Sequence, residues 1–124
     1  MDNNKYLIAS IKKYESLKIG PGNTIISVHV KVLKSTDTRY LRTTQIECGL
    51  GLIKQINLLK KKNTRTIFVD YMDRTEKIHK GRKLVTIKAT SIREAKNKDF
   101  NLIKSINDSR RIDSNERNNT GINP

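Results

Sequence analysis

Arg74, Lys77, Lys80, Arg82 and Lys83 set five cations within ten residues, around a glycine, Gly81, that permits a hairpin turn. Cations at that density neutralise phosphates and release the counterions condensed on a nucleic acid. Lys31 and Lys88 lie in flanking strand patterns and can line the same groove. Flat rings complete such a site by stacking on bases, and Tyr40, Phe68 and Tyr71 are the candidates. By alternation Phe68 and Tyr71 point to opposite faces of one strand, so one at most reaches a base and the other is core. His29 faces outward beside Lys31 and reads as a surface or stacking residue, because the sequence sets no carboxylate or nucleophile next to it. Arg42 stands where a strand begins, on the rim or on the platform itself. The bland alternative for the whole basic hairpin is a solvated turn.

Other chemistries find less support. Asp70, Asp73 and Glu76 cluster, which a hydrolase or nuclease would need, yet cations interrupt them and no metal-ligand spacing emerges. Neither His29 nor His79 has a ligand-like neighbour three or four residues on. Cys48 is alone, which excludes an internal disulfide and a cysteine-based zinc cluster and leaves a small buried hydrophobe. We therefore expect no enzyme activity, no metal and no cofactor.

The charge balance agrees with a polyanion partner. The 124 residues carry a formal charge of +14. Residues 1–92 hold 19 Lys and Arg against 7 Asp and Glu, while residues 93–124 hold 7 against 5, so the charge belongs to the part expected to fold. Nucleic acid or an anionic membrane surface is the default partner of such a chain. No apolar run approaches the length of about 20 residues that crosses a bilayer, so membrane insertion is not expected. The stretch Met1-Asp2-Asn3-Asn4-Lys5 leads straight into a strand pattern. No targeting segment is read there, and the expected location is the cytoplasm or the matrix of a mitochondrion that encodes the chain itself.

The element that must position these groups is Gly22 to Val32. Ile26, Val28, Val30 and Val32 point one way, and Ser27, His29 and Lys31 the other, the period of a half-buried strand. Ahead of it, Tyr6 to Ile11 is apolar almost throughout, either buried on both faces or curled into a barrel. Lys12 to Lys18 reads as a connection, and Gly20-Pro21-Gly22 reverses the chain. Tyr40 to Cys48 is a third strand, with Thr44, Ile46 and Cys48 on the face shared with Arg42. Leu50 to Lys62 turns to helical spacing through Leu52, Ile53, Ile56 and Leu59, and Asn63 suits its end. Arg65 to Tyr71 and Leu84 to Ile92 are the fourth and fifth strands, joined by a charged loop over 73–83.

That order, β-β-β-α-β-β, predicts an all-β chain with one helix: the five-stranded, partly open OB-fold barrel, which binds oligonucleotides across its second and third strands. An SH3-like barrel does not usually place a helix there, and an open α+β sheet is the competing architecture. The barrel domain is read over residues 1–92. Residues 93–124 are a polar, basic extension with a short helix over Asp99 to Ile106 and disorder beyond Asn107 unless a partner orders it.

The first 92 residues resemble the OB domain of bacterial and mitochondrial single-stranded DNA-binding proteins. Asn4-Lys5-Tyr6-Leu7-Ile8-Ala9-Ser10-Ile11 looks like that family's opening strand, and Gly22-Asn23-Thr24 looks like its Gly-Asn turn. Cys48-Gly49-Leu50, with a helix ending Leu58-Leu59-Lys60-Lys61-Lys62, is similar to its Gly-Lys-Leu start and basic helix end. Ile67-Phe68-Val69-Asp70-Tyr71, a basic hairpin and Val85-Thr86-Ile87 complete the pattern. The family's stacking tryptophans are missing, as is its acidic tail tip. What the resemblance implies is single-stranded DNA binding by a homo-oligomer or a larger nucleoprotein assembly. The alternative is an organellar ribosomal or other ribonucleoprotein subunit that holds structured RNA with the same fold. The expected nucleic-acid contacts are His29, Lys31, Tyr40, Arg42, Phe68, Arg74, Lys77, Lys80, Arg82, Lys83 and Lys88.

Overall fold

Alternation makes Asn23–Ser35 a strand (β2), and its apolar set decides where the core lies: Val28 and Val30 are buried, with Ile26 and Val32 packed beside them. The computed structural model describes residues 4–37 and 42–122, with 17–20, 23, 79 and 111–122 described by backbone alone. Around β2 run Lys5–Gly20 (β1), Thr43–Cys48 (β3), Thr66–His79 (β4) and Arg82–Glu94 (β5). A short 3₁₀ turn over Leu50–Leu52 leads into the helix Ile53–Lys61 (α1), and Asn97–Ile122 is a second helix (α2). The strands close in the order β1-β2-β3-β5-β4, with β3 and β5 the one parallel pair. This is the OB-fold, with its helix between the third and fourth strands.

Two segments expected as loops are strand. The connection read over Lys12–Lys18 continues β1 all the way to the Pro21-Gly22 turn, where Gly22 takes φ +77°. A β-bulge explains why the sequence hides this. Ile11 pairs with Val30 and Lys13 with His29, so Lys12 is an extra residue. The bulge resets the alternation and sends Tyr14, opposite Val28, back toward the core. A second bulge at Leu33 of β2 leaves that leucine about half exposed.

The charged segment over 73–83 is likewise no loop. Its residues pair as a ribbon from Asp73↔Lys88 to His79↔Arg82, and Lys80 and Gly81 form the turn with φ of 51° and 76°. Positive φ at both central residues is the two-residue turn whose twist suits a hairpin. The ribbon leaves the barrel, since β4 pairs with β1 only through Tyr71 and β5 with β3 only from Thr86. Past the Glu76–Val85 pair it has no core beneath it and shows no apolar alternation, which is why the sequence reads as a loop.

Inside the barrel, Leu7, Ala9, Val28, Val30, Ile46, Cys48, Ile67, Val69, Tyr71, Ile87 and Ile92 form one buried cluster. Each fully buried aliphatic side chain contributes roughly 1.5–3 kcal/mol. Helix α1 adds Ile56 and Leu59 to that cluster, while Ile53, expected on the same face, is 40% exposed. The helix ends as its sequence suggests. Asn63 adopts φ 51°, its N–H donates to the Lys60 carbonyl, and the Thr64 N–H donates to that of Leu59.

Both readings of the first strand hold together: Leu7 and Ala9 face the barrel core, and Ile8 packs outside it with Phe68 and Ile103 beneath α2. Asp99 starts that helix. It accepts the Lys96 N–H at 2.7 Å and two hydrogen bonds from Arg93. The helix runs well past Ile106, and Asn107 and Arg110 donate to the carbonyls of Ser35 and Thr36.

Candidate nucleic-acid interface

Helix α2 packs over Tyr6 and Ile8 of β1 and Phe68 of β4 and touches the end of β2, which leaves open the outer side of β3, β5, the rest of β2 and the later half of β1. Register assembles it row by row. Lys13, His29, Gln45, Thr86 and Thr75 form one row across all five strands. Ser10, Lys31 and Thr43 form the row beside it, next to the exposed Arg42. On the other side lies a row of mixed sign: Glu15, Ser27, Glu47, Lys88 and Asp73. Ser27, expected on the open platform, is fully buried there, so the outward offer of β2 reduces to His29 and Lys31.

His29 has the carboxylate that the sequence seemed to deny it. Its Nε2 lies 2.9 Å from Glu15 Oε2, with the imidazole about one-fifth and the carboxylate under half exposed. The sequence hides the pairing because the apolar alternation of β1 breaks after Ile11, four residues short of Glu15. No hydroxyl or thiol nucleophile joins the pair among the hydrogen bonds of the described residues.

Where β3 and β5 part beyond their parallel ladder, a slot of about 240 Å³ opens, lined by Lys12, His29, Thr43, Thr44, Gln45 and Lys83 to Val85. Thr44 Oγ1 donates to the Val85 carbonyl at 2.7 Å and holds the two strands together at its floor. The slot brings Lys12 and Lys83 together from strands 71 residues apart in sequence. The sequence-based expectation omits Lys12 and Lys13; the doublet between Ile11 and Tyr14, which breaks the alternation, is the mark of the bulge that aims them.

The remaining expected residues separate into three environments. Lys77, Lys80 and Arg82 are exposed on the ribbon, and Lys83 is 60% exposed while its Nζ sits 3.0 Å from Glu76 Oε2. Lys77 and Lys88 line a wider groove of about 450 Å³ shared with Glu47 and Asp73. Arg74 is enclosed: its guanidinium meets Asp37 at 3.1 Å and Glu76 at 2.6 Å, with the arginine side chain only 2% exposed. Lys83 and Arg74 together hold the Glu76 carboxyl below the usual carboxylate range.

Phe68 is also enclosed. Its ring stacks on Tyr6 at 5.5 Å between centroids, and the Arg93 guanidinium lies over it at 4.6 Å. Only 5% of the residue meets solvent, so a base reaches this ring only where α2 is displaced. Tyr71 is the core partner of the pair, fully buried with its hydroxyl donating to Asp37. Tyr40 lies outside the described residues.

Among the described residues, no group of three or more His, Cys, Asp or Glu side chains is placed to hold a metal ion, and no helix is long and apolar enough to cross a membrane. No protein-family model matches the chain, and no curated protein sequence matches it. Among solved structures it is similar to Rim1, a mitochondrial single-stranded DNA-binding protein from S. cerevisiae. The likeness covers 76% of this chain and 96% of that one, with a TM-score of 0.50 and 14% identity. At that identity what the two proteins share is the fold.

Proposed function

We propose that this chain binds single-stranded nucleic acid, DNA in the first place, along the outer face of β2, β3 and β5 and the β4–β5 ribbon. The observation that carries the reading is the slot where Lys12 and Lys83 flank His29 from opposite sides of the β3–β5 seam. Phosphates threading past it meet Lys13, Lys31 and Arg42 on one side and the ribbon cations on the other. Binding of this kind is electrostatic and needs no catalytic group. The binding unit is the barrel over residues 1–92, with residues 93–124 as an extension, of which Ala95, Phe100, Ile103, Asn107 and Arg110 touch the barrel. Exposed Leu50, Leu58 and Met72 support association into a homo-oligomer or a larger nucleoprotein assembly. The single-stranded DNA binding of the yeast protein with the same fold supports DNA over RNA, and its mitochondrial setting supports the matrix as location.

One observation favours a second reading. The strands β2, β3 and β5 carry no Phe, Tyr or Trp, so among the described residues these three strands offer bases no ring but the imidazole of His29. A surface of cations without rings suits the phosphates of structured RNA, as in a ribonucleoprotein subunit. Fluorescence anisotropy with labelled oligo-dT, competed by structured RNA at physiological salt, separates the two. Retention of the strand against excess RNA upholds the first reading, and ready displacement upholds the second. Failure to bind either ligand overturns both.

A further inference from the structure

Ile78 is 82% exposed, the most exposed large hydrophobic side chain among the described residues, and it stands two residues before the ribbon's turn. Its cross-strand partner is Lys83, and Glu76, Lys77, Gly81 and Lys83 line a notch of about 450 Å³ with it. Four cations, Lys77, Lys80, Arg82 and Lys83, lie within seven residues around this one apolar side chain. The nearby acid is engaged, since Glu76 contacts both Arg74 and Lys83. A β-branched side chain held out in water two residues from a glycine-containing turn adds nothing to the core of this chain.

The surroundings decide what covers it. A second copy would bring four like charges against these four, which repels rather than docks. An anionic membrane would meet a single isoleucine, too little apolar area for stable insertion. A nucleic acid meets both chemistries at once, phosphates for the cations and a base face for the isoleucine. Apolar wedges of this size slide between bases and unstack them in proteins that deform nucleic acids. Along the ribbon the Thr75–Thr86 row of the open face leads to Lys77–Leu84, while Ile78 and Lys83 share the other side, so a strand reaches Ile78 by turning over the ribbon tip.

We propose that the ribbon tip is a base-unstacking site: Ile78 enters between two adjacent bases while Lys77 and Lys83 hold the phosphates on either side. This rests on the single-strand reading above and adds a specific contact to it. The test uses the full chain and an oligo-dA strand carrying one central 2-aminopurine, whose emission rises when its neighbours no longer stack on it. The wild-type protein brightens the probe. Ile78→Ser leaves the fold intact, weakens binding about five-fold and removes most of the brightening, with the salt slope unchanged because no charge is lost. Equal affinity and equal brightening for Ile78→Ser overturn the wedge, while a salt slope that still responds to Arg82, Lys83 and Lys88 keeps the interface. No binding of the strand by the wild type overturns both. Stronger co-sedimentation with phosphatidylserine vesicles than with the strand, lost in Ile78→Ser, overturns the wedge in favour of a membrane contact.

Discussion

The Arg74 guanidinium lies 3.1 Å from the Asp37 carboxylate, with the two side chains 2% and 1% exposed. The pair ties the base of the β4–β5 ribbon to Asp37, two residues past the end of β2, and the Tyr71 hydroxyl donates to the same Asp37 oxygen. A buried pair of this kind is far costlier to break than to do without. Arg74→Met leaves the Asp37 charge buried and lowers stability by about 3–5 kcal/mol, read as a shift in the urea midpoint. The salt dependence of nucleic-acid binding stays as it was. A flattened salt slope with unchanged stability would give Arg74 the phosphate role its sequence neighbours suggest.

Helix α2 is held by Arg93, whose two nitrogens donate to Asp99 at 2.8 and 2.7 Å. Those hydrogen bonds, with the Lys96 N–H, hold the Asp99 carboxyl below its ordinary value. A lowered value contributes stability that is complete above about pH 4 and lost as pH falls through it. Arg93 is 45% exposed, so solvent screens the pair and its contribution is about 1 kcal/mol. Asp99→Asn should lower stability at pH 6 and have a smaller effect at pH 3, measured by urea unfolding followed through helical circular dichroism. Equal effects at both pH values would remove the ion pair from the docking of α2.

At the alkaline end two buried groups set the limit. Burial pushes the Cys48 thiol up to about 12, and burial first, with Asp37 beside it, pushes the Tyr71 hydroxyl up to about 12. Raised values contribute stability that is complete below the ordinary values near 9 and 10 and is lost as pH rises toward 12. Cys48 should therefore resist thiol reagents at pH 8 in the native protein and react at once in urea. Rapid native labelling would show that the seam at the end of β3 opens.

Much of this molecule is legible in its sequence where one face of an element is buried and the other is wet. The alternation of β2, the Pro21-Gly22 and Lys80-Gly81 turns, and the helix Ile53–Lys61 with Asn63 just past its end all follow from local chemistry. What escapes is whatever depends on a bulge or on a distant element. Lys12 shifts the parity of β1, and with it come the Tyr14 ring, the Glu15 partner of His29 and the aim of Lys12 and Lys13 themselves. Past the Glu76–Val85 pair the ribbon has no buried face, so nothing periodic marks its tip. Phe68 is apolar on the outer side of β4, which suits a base-stacking ring and an α2-covered ring equally well; Ile103, 35 residues on, decides the matter.

The interface itself is best tested by its salt dependence. Arg82 and Lys83 stand at the ribbon turn and Lys88 on the open face, all exposed. Each phosphate contact on a single strand contributes about 0.7 to the slope of log K against log salt. Replacing all three by Gln should flatten the slope by about two, with the fold unchanged by circular dichroism. Lys12 and Lys13 provide the second arm. They lie on β1, far from the ribbon in sequence, and only the bulge turns them toward His29. Their joint replacement by Gln should flatten the slope by about one more. If the ribbon variant loses slope and the Lys12–Lys13 variant does not, the strand follows the ribbon and leaves the seam. If neither changes it, the path lies on another face.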